Sequence, residues 1–366
     1  MSYYAVAMAA VLLLSYFCTT SYELPAGGEV KCFRSAKTAF LVLLPLTALA
    51  LFRWNVGVDS LYQGSYWAAY HSAAKGVNSR GFEWGFFQLI RLFSSLETPY
   101  FWFLFCHALL FMLACSYAVA KGSVWPKWSI LVFFLLYVYF DCYSSLRQSL
   151  AEALCLIAWA RMGYDPPSRR KDLHLLALFL LAGLFHSIAW MNLPIYLICR
   201  VRFSRNGMLK FLVGVILLSP VLQIVLRLAM SLLASDQYTY SGVALINAVM
   251  TGVLAVLCWY FYDEISGLDE NAYMYVNLAV CIFVLILNSG AMYLPFRVFD
   301  MLKIGYVFII PYLLRGIPGS RMRLLAEAGL LCVFGAWFYN QFFLQNSFAA
   351  VYQTALEDWN TIIHLP

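Results

Sequence analysis

"SRRKDLHLLALFLLAGLFHSIAWMNLPIYLICRVRFSRNGMLK", residues 168–210, holds an apolar stretch of 27 residues, 173–199, between two basic flanks. One helix crosses ~30 Å of hydrocarbon with about 20 apolar residues, and two crossings need about 40. The length fits one tilted crossing or a pair of short helices. Basic connectors stay on the cytoplasmic side of a membrane. A single crossing turns both the 200–210 and the 315–323 clusters outward. A hairpin turning near Gly183–His186 keeps them inside, so we expect a re-entrant or short-helix hairpin over 173–199.

The rest of the chain reads in the same terms. Of 366 residues, 63% are hydrophobic and 11% charged, roughly half the charge of a soluble domain. Full spans are expected near 3–21, 37–53, 100–119, 128–142, 146–162, 211–233, 242–262, 271–291, 297–314 and 323–343. The fold class is an all-α polytopic integral membrane protein, with about ten spans plus the hairpin in one domain, 1–366. With this threading sixteen of the 24 lysines and arginines lie inside, and both termini lie outside. The N-terminus lacks a basic region before its apolar run, so it reads as a retained first span. The net charge of +6 sits in short clusters between spans, a pattern of membrane orientation and not of nucleic-acid binding. The ten cysteines lie mostly inside apolar runs and have no zinc-ligand spacing.

The longest segment without a span, 54–99, is expected outside, and it carries an interfacial amphipathic helix. Phe86, Phe87, Leu89, Ile90, Leu92, Phe93 and Leu96 form its apolar side, with Gln88 and Arg91 toward water. Arg80 and Glu83 precede it, and Glu83 also suits a helix start. Arg53, Asp59, Tyr62 and His71 follow the second span. The aromatics Tyr62, Tyr66, Trp67 and Tyr70 fit either an interfacial belt or a platform for sugar faces.

In "CYSSLRQSLAE" (142–152), Ser145 and Gln148 have capping-box spacing. Arg147 beside them is a cation at a helix start, where the helix dipole is already positive. Amides plus a guanidinium make a phosphate site. Arg297 repeats that geometry at the start of 297–314, with Asp300 and Lys303 nearby. His186 falls at the hairpin turn. Ionisable groups at a membrane edge are functional candidates, and here cations outnumber carboxylates, so the expected ligand is anionic. No phosphate-binding glycine loop or serine-hydrolase elbow is found.

These residues resemble a family. "RWNVGVDSLYQGSY" (53–66), "GFEWGFFQLIRLF" (81–93), "YSSLRQSLAEALCLIAWAR" (143–161), "LAGLFHSIAWMNLPIYL" (181–197) and "FRVFDMLKIGYVFIIPYLL" (296–314) occur in the order found in EpsG-family proteins. That family is similar to the Wzy-type polymerases of bacterial surface polysaccharides, which have a GT-C-like membrane fold. The resemblance implies glycosyl transfer on the outer face of the cytoplasmic membrane. A glycan on undecaprenyl diphosphate would move to the non-reducing end of another lipid-linked repeat unit, and a separate protein would regulate chain length. The family pattern falls on Gly57, Asp59, Glu83, Arg147, Gln148, His186 and Arg297. It departs at Ser60-Leu61, which intervene before Tyr62.

On this reading Arg147, Arg297 and Gln148 hold the diphosphate, while Tyr62 and Arg80 touch the glycan. Asp59, Glu83 and His186 are candidate bases for the acceptor hydroxyl, with Asp59 ranked first because its loop can reach over the site. Too few carboxylates cluster for a magnesium site; neither metal nor other cofactor is expected. Membrane lipids and the polyprenyl-diphosphate-linked glycan are the expected partners. Two other classes compete. A flippase would spread charges through the membrane depth, and an O-acyltransferase would use His186 but leave the arginines idle.

Overall fold

A computed structural model describes residues 2–23, 29–57, 63–164, 168–233, 245–288, 295–345 and 354–362. The described chain is helical apart from one β-hairpin, β1 (Thr19–Glu23) with β2 (Glu29–Phe33), paired antiparallel from Thr19↔Phe33 to Glu23↔Glu29. The helices are α1 (Ser2–Cys18), α2 (Ala36–Leu51), α3 (Ser65–Ala74), α4 (Trp84–Ser95), α5 (Tyr100–Gly122), α6 (Pro126–Leu135), α7 (Val138–Ser144), α8 (Leu146–Tyr164) and α9 (Arg169–Phe185). A 3-10 turn (Ser187–Met191) leads to α10 (Asn192–Cys199). Then come α11 (Arg205–Leu233), α12 (Leu245–Tyr260), α13 (Tyr262–Ser266), α14 (Tyr273–Asn288), α15 (Pro295–Lys303), α16 (Tyr306–Gly316), α17 (Ser320–Tyr339) and α18 (Trp359–Ile362).

Among the described residues two helices have the length and apolarity to cross a membrane, Tyr100–Gly122 and Ser320–Phe343; several others are apolar but shorter, at 10–17 residues. Two expected spans are corrected. The segment 128–142 is broken at Tyr137, which takes a left-handed φ of 65° between α6 and α7. The segment 297–314 is likewise two helices, α15 and α16, parted at Ile304–Gly305. Apolar composition fixes burial, whereas these breaks depend on backbone torsions that hydropathy does not encode.

The stretch 169–200 doubles back. Asp172 at the start of α9 pairs with Arg200 after α10, at 2.9 Å, and accepts from the Tyr196 hydroxyl at 2.5 Å. Ser168 caps α9 by accepting from the Lys171 amide. The chain therefore returns to the end from which it left, with His186 at the far turn.

Two apolar clusters hold the fold. The larger runs through the helical bundle; the smaller gathers Trp54, Tyr66, Tyr70, Phe86, Ile90, Tyr100, Phe101, Phe103, Leu146 and Leu150. In α4, Phe86 and Ile90 are buried one turn apart while Arg91 is exposed. Burying such side chains contributes about 1.5–3 kcal/mol each. This smaller cluster seats the start of α4 against the start of α8, and so brings two of the polar motifs together.

Candidate active site

The site begins with a loop. Asn78 brackets Phe82, donating from Nδ2 to the Phe82 carbonyl at 2.8 Å and accepting from the Phe82 amide at 2.9 Å. That bracket presents Glu83 as the N-cap residue of α4. Gly85, on the next turn, lies against α9: a Cβ there would stand 2.9 Å from the Leu184 carbonyl oxygen. Only glycine permits so close an approach, and it delivers Glu83 to the end of α9.

Glu83 is then fully engaged. Its Oε2 accepts from Arg147 Nη1 at 2.6 Å; its Oε1 lies 3.1 Å from His186 Nδ1 and accepts from the Ser187 amide at 3.1 Å. Burial raises the carboxyl pKa, but the hydrogen bond with His186 and the Arg147 charge outweigh it and bring the group down to about 2. A carboxylate this well satisfied is a weak base. Glu83 is an anchor.

Its effect on His186 is specific. An ionised carboxylate only accepts, so the neutral imidazole carries its proton on Nδ1 and presents Nε2 as a lone pair. Nε2 is buried and has no hydrogen-bond partner among the described residues. A base oriented by a third group is the arrangement that general-base chemistry needs.

Arg147 is the second residue of α8, and its side chain keeps 21% exposure. Its guanidinium lies 4.7 Å over the Phe82 ring, hydrogen-bonds Tyr66, and spends one Nη on Glu83. Arg297, the third residue of α15, is half-buried, and the charges of both arginines reach His186. Glu83, Arg147 and His186 thus meet in one place, with Arg297, more than two hundred positions from Glu83, within electrostatic reach.

Other expected residues fall elsewhere. Gln148 is buried and turns down its own helix, donating to Glu152 Oε1 at 2.7 Å, so it faces away from any diphosphate. The capping box is absent for the same reason: the Ser145 amide is already taken by the Asp141 carbonyl at 2.9 Å, closing α7. Tyr66 and Tyr70 are core residues, the Tyr70 hydroxyl donating to the Thr98 carbonyl. Arg80 is exposed on the loop before Glu83. Asp59 and Tyr62 lie outside the described residues. Gly57, just before them, has φ of 93°, and a Cβ there would lie 2.0 Å from the Tyr143 carbonyl oxygen, so Gly57 itself lies directly against the end of α7.

Two groups gain partners that sequence reasoning did not supply, although Arg53, Asp300 and Lys303 stand out along the chain. Arg53 is 1% exposed, donates to the Ala50 carbonyl at 2.7 Å and stacks 5.3 Å from the Tyr143 ring. Below the site, Lys303 pairs with Asp141 at 2.8 Å and Asp300 at 3.1 Å, with Glu152 buried nearby. The pairing of Lys303 with Asp300 was legible from their i,i+3 spacing. The pairing with Asp141 joins helices 162 positions apart, which spacing does not reveal.

No curated protein and no solved structure matches the chain. The family model that does match runs over residues 37–354 and takes in every described site residue. The chain belongs to the EpsG family.

Proposed function

We propose that this protein polymerises undecaprenyl-diphosphate-linked oligosaccharide repeat units by glycosyl transfer, on the outer face of the bacterial cytoplasmic membrane, without a metal ion. Membership of EpsG, a polysaccharide polymerase-like family of membrane proteins, supports the reaction class. The observation that carries the mechanism is the unpartnered Nε2 of His186, oriented by Glu83 and within electrostatic reach of two guanidinium groups.

The acceptor hydroxyl gives its proton to His186 Nε2 as its oxygen attacks the anomeric carbon. The bond from that carbon to the diphosphate oxygen breaks, and the electron pair leaves with the diphosphate. Arg297 and Arg147 receive the growing charge in a low-dielectric site, where fixed cations act more strongly than in water. Arg147 has a second duty, since it also clamps Glu83. The oxygens of Glu83 are already occupied by Arg147, His186 and Ser187, so it is a poor ligand for a divalent cation.

The test uses purified protein in detergent, where membrane sidedness is lost, with a lipid-linked repeat unit as the only sugar source. Longer lipid-linked products are expected, and they should vanish in His186→Ala. Unchanged substrate with the native protein would support a transporter instead.

A further inference from the structure

Six residues beyond Arg297, at the end of α15, Lys303 is buried to 1% exposure. Its ammonium lies 2.8 Å from Asp141 Oδ2 and 3.1 Å from Asp300 Oδ1, and 5.9 Å from the centroid of the Tyr137 ring. The buried carboxyl of Glu152 also faces it. Asp141 belongs to α7, which ends one residue before α8 begins, so it stands six residues before Arg147. Each site arginine therefore sits six positions from one member of the same buried pair. Within α15 the six residues from Arg297 to Lys303 rise about 9 Å. The helix α15 also packs on the 3-10 turn that follows His186.

Together these contacts hold α15 at two points. Its apolar side (Val298, Phe299, Met301, Leu302) is buried, but apolar contacts are non-directional and leave a short helix free to slide or roll. An ammonium held between two carboxylates and shielded from water resists such movement, because leaving either carboxylate strands a buried charge. Its charge also suits the last turn of α15, where the helix dipole is negative.

We propose that Lys303 and Asp141 form a buried ionic clasp that sets the distance between Arg297 and the Glu83–Arg147–His186 group, making both positioning residues for diphosphate binding. The inference rests on the proposed binding of a diphosphate by Arg297. Gln148 and Glu152 extend the clasp along α8, which accounts for a glutamine that points away from the substrate. Neither Lys303 nor Asp141 touches the substrate; both act through Arg297.

The experiment is a mutant cycle with KM for the lipid-diphosphate donor as readout, alongside thermal unfolding of each purified variant. Arg297→Lys and Lys303→Met should each raise KM by about tenfold to a hundredfold, the scale of a misplaced binding group. The double variant should be within about twofold of Arg297→Lys alone, because coupled residues are non-additive. Lys303→Arg, which keeps the charge, should recover most of the affinity. If Lys303→Met gives no folded protein, Asp141→Asn takes its place in the same cycle, since Lys303 then keeps Asp300. Multiplying KM effects, or lower melting temperature with an unchanged KM, overturn the clasp. An unchanged KM in Arg297→Lys overturns the diphosphate reading itself, and the clasp with it.

Discussion

Glu83 and His186 are 103 positions apart, yet the carboxylate lies 3.1 Å from the imidazole Nδ1 and also accepts the next backbone amide, that of Ser187. Two bonds from one oxygen to consecutive residues lock the ring's direction, not only its position. The carboxylate therefore orients the ring, and in the proposed function the histidine is the base.

Replacing His186 by alanine should reduce kcat by about 10²–10⁴, the usual contribution of a general base. Binding of the lipid-linked donor should change little. Single-turnover transfer with purified protein, paired with a donor-binding measurement, separates the two effects.

Glu83→Gln tests the anchor and its charge. The folded pKa of about 2 lies below the ordinary 4.5. The stabilisation from the ionised carboxylate is thus full above pH 4.5 and is lost as pH falls through about 2. Native protein should lose stability over that acid window, and Glu83→Gln should flatten the loss, as followed by thermal unfolding at stepped pH.

Arg297→Ala should cost about 2.7–4 kcal/mol in the transition state, the effect of removing one fixed donor to a developing anion. Arg147→Ala should do more. It removes a donor and takes from Glu83 its partner at 2.6 Å, so donor binding and kcat should fall together in steady-state kinetics.

Gly85→Ala probes the approach of α4 to α9. A Cβ 2.9 Å from the Leu184 carbonyl oxygen forces the two helices apart, costing about 1–3 kcal/mol as an overpacked contact. Separation also lengthens the Glu83–His186 contact, so activity should fall by more than the lost folded fraction explains. Melting temperature and specific activity of the purified variant are the two measurements.

Transfer should survive EDTA. Activity lost in chelator and restored by Mg²⁺ would replace the arginine-based account with a metal-based one.

The polar residues that converge on the site were visible along the chain because each interrupts an apolar surrounding. Glu83, Arg147, His186 and Arg297 were all marked on that ground, since an ionisable group next to a membrane-length run needs a reason. Their roles were not visible. Asp59 and Glu83 look alike as bases when partners are unknown; the three partners of Glu83, which favour an anchoring role in the proposed function, are seen only in the fold. Gln148 looks like a capping or substrate group until its amide is found on Glu152.

Composition and hydropathy by themselves determined a helical chain with basic clusters between its apolar runs, because transfer free energies and charge bias act residue by residue. Tertiary structure alone decided where helices break, as at Tyr137, and which charges meet, as at Lys303 and Asp141. Those outcomes depend on side chains brought within 3 Å from distant positions, and no local property of the sequence specifies that distance.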